Sequence, residues 1–183
     1  LWKLFLARGA FHCVGVALWF YAMARIPIAD VTAMNYLSPV YVTLGAALFL
    51  GEPLALRRIV AVGAALIGAV VILRPGFREI ETGHFAMLIA AVSFGGSYLL
   101  TKRLSGLVAP GVVVVMLSIC VPIGLAPLAV SVWVPPSKAD IWLLFVVAIL
   151  ATVGHYTMTL AFKAAPVSMT QPATFLQLVW AVM

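Results

Sequence analysis

Asp30, Asn35, Ser38 and Tyr41 lie in an otherwise apolar stretch, DVTAMNYLSPVYVTLGAALFLGE from Asp30 to Glu52, with Pro39 in its middle. On a helix at 100° per residue, Asp30, Met34, Asn35, Ser38, Tyr41 and Gly45 share an arc of roughly 140°. A carboxylate, an amide, a hydroxyl and a phenol on one stripe can hydrogen-bond a polar ligand. Facing lipid unpaired they would be costly, so the stripe must face other helices or a water-filled cavity. Read alone it serves as well for glue between helices, where such a hydrogen bond contributes about 0.6 kcal/mol.

Other apolar segments carry stripes too. Arg8, His12, Gly15 and Trp19 share a face of the first, Ser93 and Ser97 one of the fourth, His155 and Thr159 one of the sixth, and Thr170, Thr174 and Gln177 one of the last. Several helices each sending hydroxyl, amide and imidazole groups inward describe a polar cavity better than a uniformly greasy bundle. Trp19, Tyr36, Tyr41, Tyr156 and Trp180 add rings that can stack on a ring or a cation, although Trp and Tyr near helix ends also anchor helices at the membrane interface. The residues expected to line a substrate cavity are therefore His12, Trp19, Asn35, Ser38, Tyr41, Ser97, His155, Tyr156, Thr174 and Gln177. Pro39 removes a helical hydrogen bond in mid-segment and should kink it, as Pro122 and Pro127 should kink the fifth.

The charged residues divide between structure and function. Arg8 lies near a helix end, where it either snorkels to the interface or joins the His12 face. Asp30 opens a helix, where the dipole favours a carboxylate and Arg25 offers a partner; the alternative is proton or cation coupling. Glu52 closes a helix, opposes its dipole, and is expected to pair with Arg57 or Arg58 across the turn at Pro53. His84, at a helix start, reads as interfacial. Ala64 with Gly68 and Gly95 with Gly96 offer small surfaces for close helix approach.

Composition bounds the rest. The chain is 65% hydrophobic and 9% charged over 183 residues, against about 45–50% and about 25% in soluble domains, which places it in a bilayer. The eleven Lys and Arg that give the net charge of +6 are scattered singly or in pairs, so there is no basic face for nucleic acid. Cys13 and Cys120 stand far apart without a ligand-spaced partner and read as packing residues; no metal or cofactor is expected. There is no HExxH, no GxSxG (the run at Gly95 is GGSYL), no phosphate-binding P-loop, and few acids for acid–base chemistry. An enzyme is therefore not expected.

Spanning helices of about 20 residues are read at 4–24, 28–51, 57–74, 84–101, 110–134, 141–162 and from 167 onward, joined by short loops. Alternating sides puts Lys3, Arg8, Arg57, Arg58, Lys102, Arg103 and Lys163 on one face and Arg25, Arg74, Arg78 and Lys138 on the other, so the first face is expected to be cytoplasmic. No cleavable signal peptide is visible, and the start at Leu1 with an end inside an apolar run suggests a fragment.

Aligning Pro27 with Pro166 sets AMARIPIADVTAMNYLSPVY above AFKAAPVSMTQPATFLQLVW, matching Ala22 with Ala161, Leu37 with Leu176 and Val40 with Val179. The Arg25 and Lys163 joints fall on opposite sides, as an inverted pair requires.

ARGAFHCVGVALWFYAMARIPIADVTAMNYLSPVYVTLGAALFLGE, the following RR pair, GAVVILRPG, and later AAPVSMTQPATFLQLVWA resemble the EamA-domain branch of the drug/metabolite transporter superfamily over essentially the whole chain. The resemblance implies an all-α membrane protein of ten helices in two inverted five-helix repeats. This chain would supply the third helix through most of the ninth: the end of one repeat in residues 1–74 and a truncated second repeat in 84–183. It also implies a central cavity built from matching helices of the two repeats.

The expected function is a secondary transporter, in a bacterial inner membrane, that moves a small metabolite by alternating access. The metabolite would be amino-acid-like, nucleoside- or vitamin-like, or drug-like. The alternative is a non-transporting structural subunit or a channel. Expected partners are the small molecule and the bilayer, with homodimerisation left open.

Overall fold

A computed structural model describes residues 1–53, 56–73 and 79–170. Among them the chain is all-α: α1 (Trp2–Met23), α2 (Ile28–Asn35), α3 (Ser38–Leu50), α4 (Leu56–Leu73), α5 (Thr82–Ser105), α6 (Pro110–Ser131), α7 (Lys138–Ala164) and α8 (Val167–Thr170). Helices are what an apolar environment demands, because each satisfies its own backbone hydrogen bonds. Among the described residues five spans are long and apolar enough to cross a membrane: α1, α2 with α3, α5, α6 and α7. The seventh expected segment lies outside the described residues apart from α8.

Three boundaries differ by three residues or more from those expected. α5 runs on through Lys102 and Arg103, where cations suit the negative end of the dipole. α7 starts earlier, at Lys138, because Ser137 and Asp140 cap it reciprocally: the Asp140 amide donates to Ser137 Oγ at 3.2 Å and the Ser137 amide to Asp140 Oδ2 at 2.9 Å. α6 stops at Ser131, just before WVPPS, where paired prolines disfavour helix.

The second segment is broken rather than merely bent. The Tyr36 and Leu37 amides bond carbonyls three residues back instead of four, and α3 restarts at Ser38 with Pro39 in its first turn. Pro39 has no N–H to give the Asn35 carbonyl four residues earlier. α6, in contrast, is one uninterrupted helix through Pro122 and Pro127.

α5 is the hub, packing against α1 most extensively and also against α2, α3, α6 and α7. Ala22, Ile26, Val31, Met34, Met87, Ala90 and Phe94 form the main core where α1, α2 and α5 meet. Gly95 lets α5 approach α3 closely: a Cβ there would lie 3.1 Å from Tyr41 Cβ.

The α1–α6 seam interlocks reciprocally. A Cβ on Gly9 would lie 2.6 Å from Cys120 Cβ, and one on Gly124 would lie 2.6 Å from Cys13 Sγ. Each cysteine thus occupies the notch left by a glycine of the other helix, and both thiols are free. α7 is exposed on every side from Lys138 to Gly154. Such all-round apolar exposure suits lipid or further helices.

Candidate functional site

Three of the expected cavity residues converge. Ser97, fully buried on α5, lies with its Oγ 3.3 Å from His12 Nδ1 of α1. The His12 ring meets His155 of α7 edge to face, with centroids 5.4 Å apart, and meets Phe94 of α5 at the same separation. Beside this cluster, among the described residues, lies a cavity of about 280 Å³ between α1, α6 and α7. His12, Ser118, Thr152 and His155 are its polar lining, against Val114, Leu117 and Ala148. Ser97 and Thr101 stand one turn apart on α5, as do His155 and Thr159 on α7. In both pairs the threonine returns its hydroxyl to the backbone four residues earlier, at 2.8 and 2.7 Å. Each threonine is thereby satisfied within its own helix.

Arg8 extends this face one turn beyond His12. It does not snorkel: it is 1% exposed and donates through Nη1 to the Val113 carbonyl of α6, next to the cavity-lining Val114.

The second-segment stripe lies elsewhere. Ser38 and Pro39 are buried and Asn35 and Tyr41 half-buried; Tyr41 packs against Leu37 and Ala91 on the α3–α5 side. Ser38 Oγ and Asn35 Oδ1 are buried with no hydrogen-bond partner among the described residues. Trp19 sits half-buried at the edge of the main core with its ring 5.4 Å from Phe20. Tyr156 is exposed. Thr174, Gln177 and Trp180 lie outside the described residues, as do the side chains of Arg57 and Arg58.

Asp30 lies against His84 rather than the expected Arg25. Asp30 is buried, with Oδ2 3.7 Å from His84 Nε2, while Arg25 lies over the Tyr21 ring and donates to the Tyr21 carbonyl at 3.1 Å. His84 is itself buried, and its Nδ1 accepts the Glu81 amide at 3.0 Å in a reciprocal cap of α5. With Nδ1 accepting, the ring proton belongs on Nε2, facing Asp30.

Glu52 reaches across the fold to α8, where Oε1 accepts the Val167 amide at 2.9 Å. Lys102, visible in the sequence only as an orientation charge, donates through Nζ to the Phe162 and Ala165 carbonyls at the end of α7. A carboxylate on a helix start and an ammonium on a helix end both complement the dipoles they touch.

Residues 1–74 match the model of the EamA-like transporter family. The chain is 32% identical over 174 residues to a riboflavin transporter of Rhizobium johnstonii, covering 94% of this chain and 58% of that protein. It is 26% identical over 179 residues to an S-adenosylmethionine uptake transporter of Rickettsia prowazekii, again over 94% and 58%. It is 29% identical over 162 residues to a pseudopaline exporter of Pseudomonas aeruginosa, over 86% and 56%. The chain thus spans a little over half the length of these curated relatives. No solved structure matches it. These relatives are named as transporters or exporters, not enzymes. The chain is a multi-pass integral membrane protein similar to the EamA-like transporter family, whose model its first 74 residues match.

Proposed function

We propose that the protein to which this chain belongs is a secondary transporter that moves a small metabolite across a bacterial cytoplasmic membrane by alternating access. The observation that carries this reading is the His12–Ser97–His155 cluster, in which three helices deliver polar groups to the edge of a cleft between α1, α6 and α7 of an otherwise apolar bundle. Burying such groups is expensive in a membrane, and a passing polar ligand gives the cost a purpose. Riboflavin and S-adenosylmethionine, named for the relatives, are first substrate candidates; both present planar rings to which imidazole edges are complementary.

In this reading residues 1–74 end one repeat and 84–183 begin its inverted counterpart. α1 followed by the corner at Pro27 is then the partner of α7 followed by the corner at Pro166, and alternating access is a rocking of these two units about the cavity. The break at Tyr36–Leu37 lets the α2–α3 segment flex. Asn35 and Ser38, whose buried Oδ1 and Oγ have no hydrogen-bond partner among the described residues, offer polar groups to a second stretch of the substrate path on the α3 side of α5.

The test is uptake of labelled riboflavin and S-adenosylmethionine by proteoliposomes holding the full-length protein, beside His155→Phe at matched incorporation. Uptake of either compound by the parent with a loss of tenfold or more in the variant supports the reading. Equal uptake by both makes the cluster helix glue, and no uptake of a broad metabolite panel favours a structural subunit.

A further inference from the structure

Arg8 is the one fully buried cationic side chain among the described residues. A guanidinium keeps its charge and offers five donors in a planar fork. Here Nη1 bonds the Val113 carbonyl, and Nε has no hydrogen-bond partner among the described residues. The described residues include all five carboxylates of the chain, and none forms an ion pair with Arg8. Asp30 faces His84, Glu52 holds the Val167 amide, Glu81 caps α5, Asp140 caps α7, and Glu79 is exposed in the loop before α5.

The helix directions explain the isolation. Arg8 lies at the end of the bundle where α5 and α7 finish, near Leu104 and Val113. The chain places Glu52 alone among its acids at that end; the other four belong to the opposite end, where α2, α5 and α7 begin. A buried cation is normally paired, since burial without a counter-charge costs several kcal/mol.

The position of Arg8 says where an anion would enter. It stands one turn from His12 on the same face of α1, it bonds the residue next to cavity-lining Val114, and His155 Nδ1 is likewise buried without a hydrogen-bond partner among the described residues. We infer that Arg8 is the anion subsite of the cavity, so that the substrate is a small molecule bearing a carboxylate or phosphate, its ring against His12 and His155 and its anionic group on the Arg8 fork. This rests on the transporter reading and narrows it to a substrate class.

Matched pairs test it. The full-length protein, in neutral detergent and in phosphatidylcholine proteoliposomes, is titrated with S-adenosylmethionine and its decarboxylated form, and with riboflavin and riboflavin 5′-phosphate. The parent should bind the more anionic member of at least one pair about tenfold more tightly, as charge-assisted bidentate bonds allow. In Arg8→Gln that ratio should fall to near one. Arg8→Lys keeps the charge but not the fork, gives an intermediate ratio, and serves alone if the glutamine variant does not fold.

No preference in the parent, or one unchanged in the variants, overturns the subsite. If neutral riboflavin is nonetheless carried and His155→Phe abolishes this, the transporter reading survives without it. If no compound is bound or carried, both readings fall for these scaffolds. If added phosphatidylglycerol, and none of the soluble anions, stabilises the parent and not Arg8→Gln, the ligand is a lipid headgroup and the substrate assignment is wrong.

Discussion

Glu52 Oε1 and the Val167 amide, 115 residues apart in sequence, meet at 2.9 Å and tie the end of α3 to the first turn of α8. The bond gives a carboxylate to a helix start that offers unsatisfied N–H groups. Glu52→Ala should therefore lower stability by about 1 kcal/mol and speed amide exchange at Val167, with Glu52→Gln between variant and parent. Thermal unfolding in detergent and hydrogen-exchange mass spectrometry over the α7–α8 corner read both effects. Unchanged exchange at Val167 in Glu52→Ala would refute the assignment.

Lys102 secures the other arm of that corner by bonding the Phe162 and Ala165 carbonyls. Lys102→Met keeps most of the stem while removing the donors, and should destabilise by about 1 kcal/mol. Because both charges hold one corner, Glu52→Ala and Lys102→Met together should depart from additivity by at least about 0.5 kcal/mol. Strict additivity would mean that the two arms are independent.

Ser97→Ala removes the 3.3 Å contact to His12 Nδ1 and should cost only about 0.6 kcal/mol of stability. Its effect on transport per folded molecule should be larger, because the His12 ring loses the hydroxyl that orients it beside the cavity. A stability loss with unaltered transport would assign the pair to helix glue.

Gly15 faces the Phe94 ring so closely that a Cβ would lie 2.8 Å from Cε1. Gly15→Ala should destabilise by about 1–3 kcal/mol through overpacking, and Phe94→Leu in the same chain should recover part of it. Since Phe94 also packs edge to face on His12, the single variant should shift substrate affinity as well. Failure of the second change to restore anything would place the strain elsewhere.

The helices were legible because their signal is collective: runs of some twenty apolar residues between charges. The His12, Ser97 and His155 faces were legible for the same reason, since one-turn spacing is a property of each helix alone. Which faces meet was not. Asn35, Ser38 and Tyr41 form as good a stripe as the histidines, yet lie against another side of α5. The partners of the charges were the least legible feature. Sequence proximity suggested Arg25 for Asp30, whereas His84 faces it across 54 residues; Arg57 and Arg58, suggested for Glu52, have side chains outside the described residues, and Glu52 also takes the Val167 amide across 115 residues. Arg8 was ambiguous because position along a helix does not reveal whether a neighbour, here Val113, covers the side chain.

The exchange of cysteine and glycine along the α1–α6 seam leaves a mark that comparative genetics can read. Positions 9 and 120 share one small volume, and positions 13 and 124 share another, so the sum at each notch is constrained while the residues are not. Among homologues, a larger residue at 9 should travel with a smaller one at 120, and likewise for 13 and 124. A cysteine lost from either place should be a neutral drift when its opposite number has grown to match, which would make this seam conserved in shape and free in spelling.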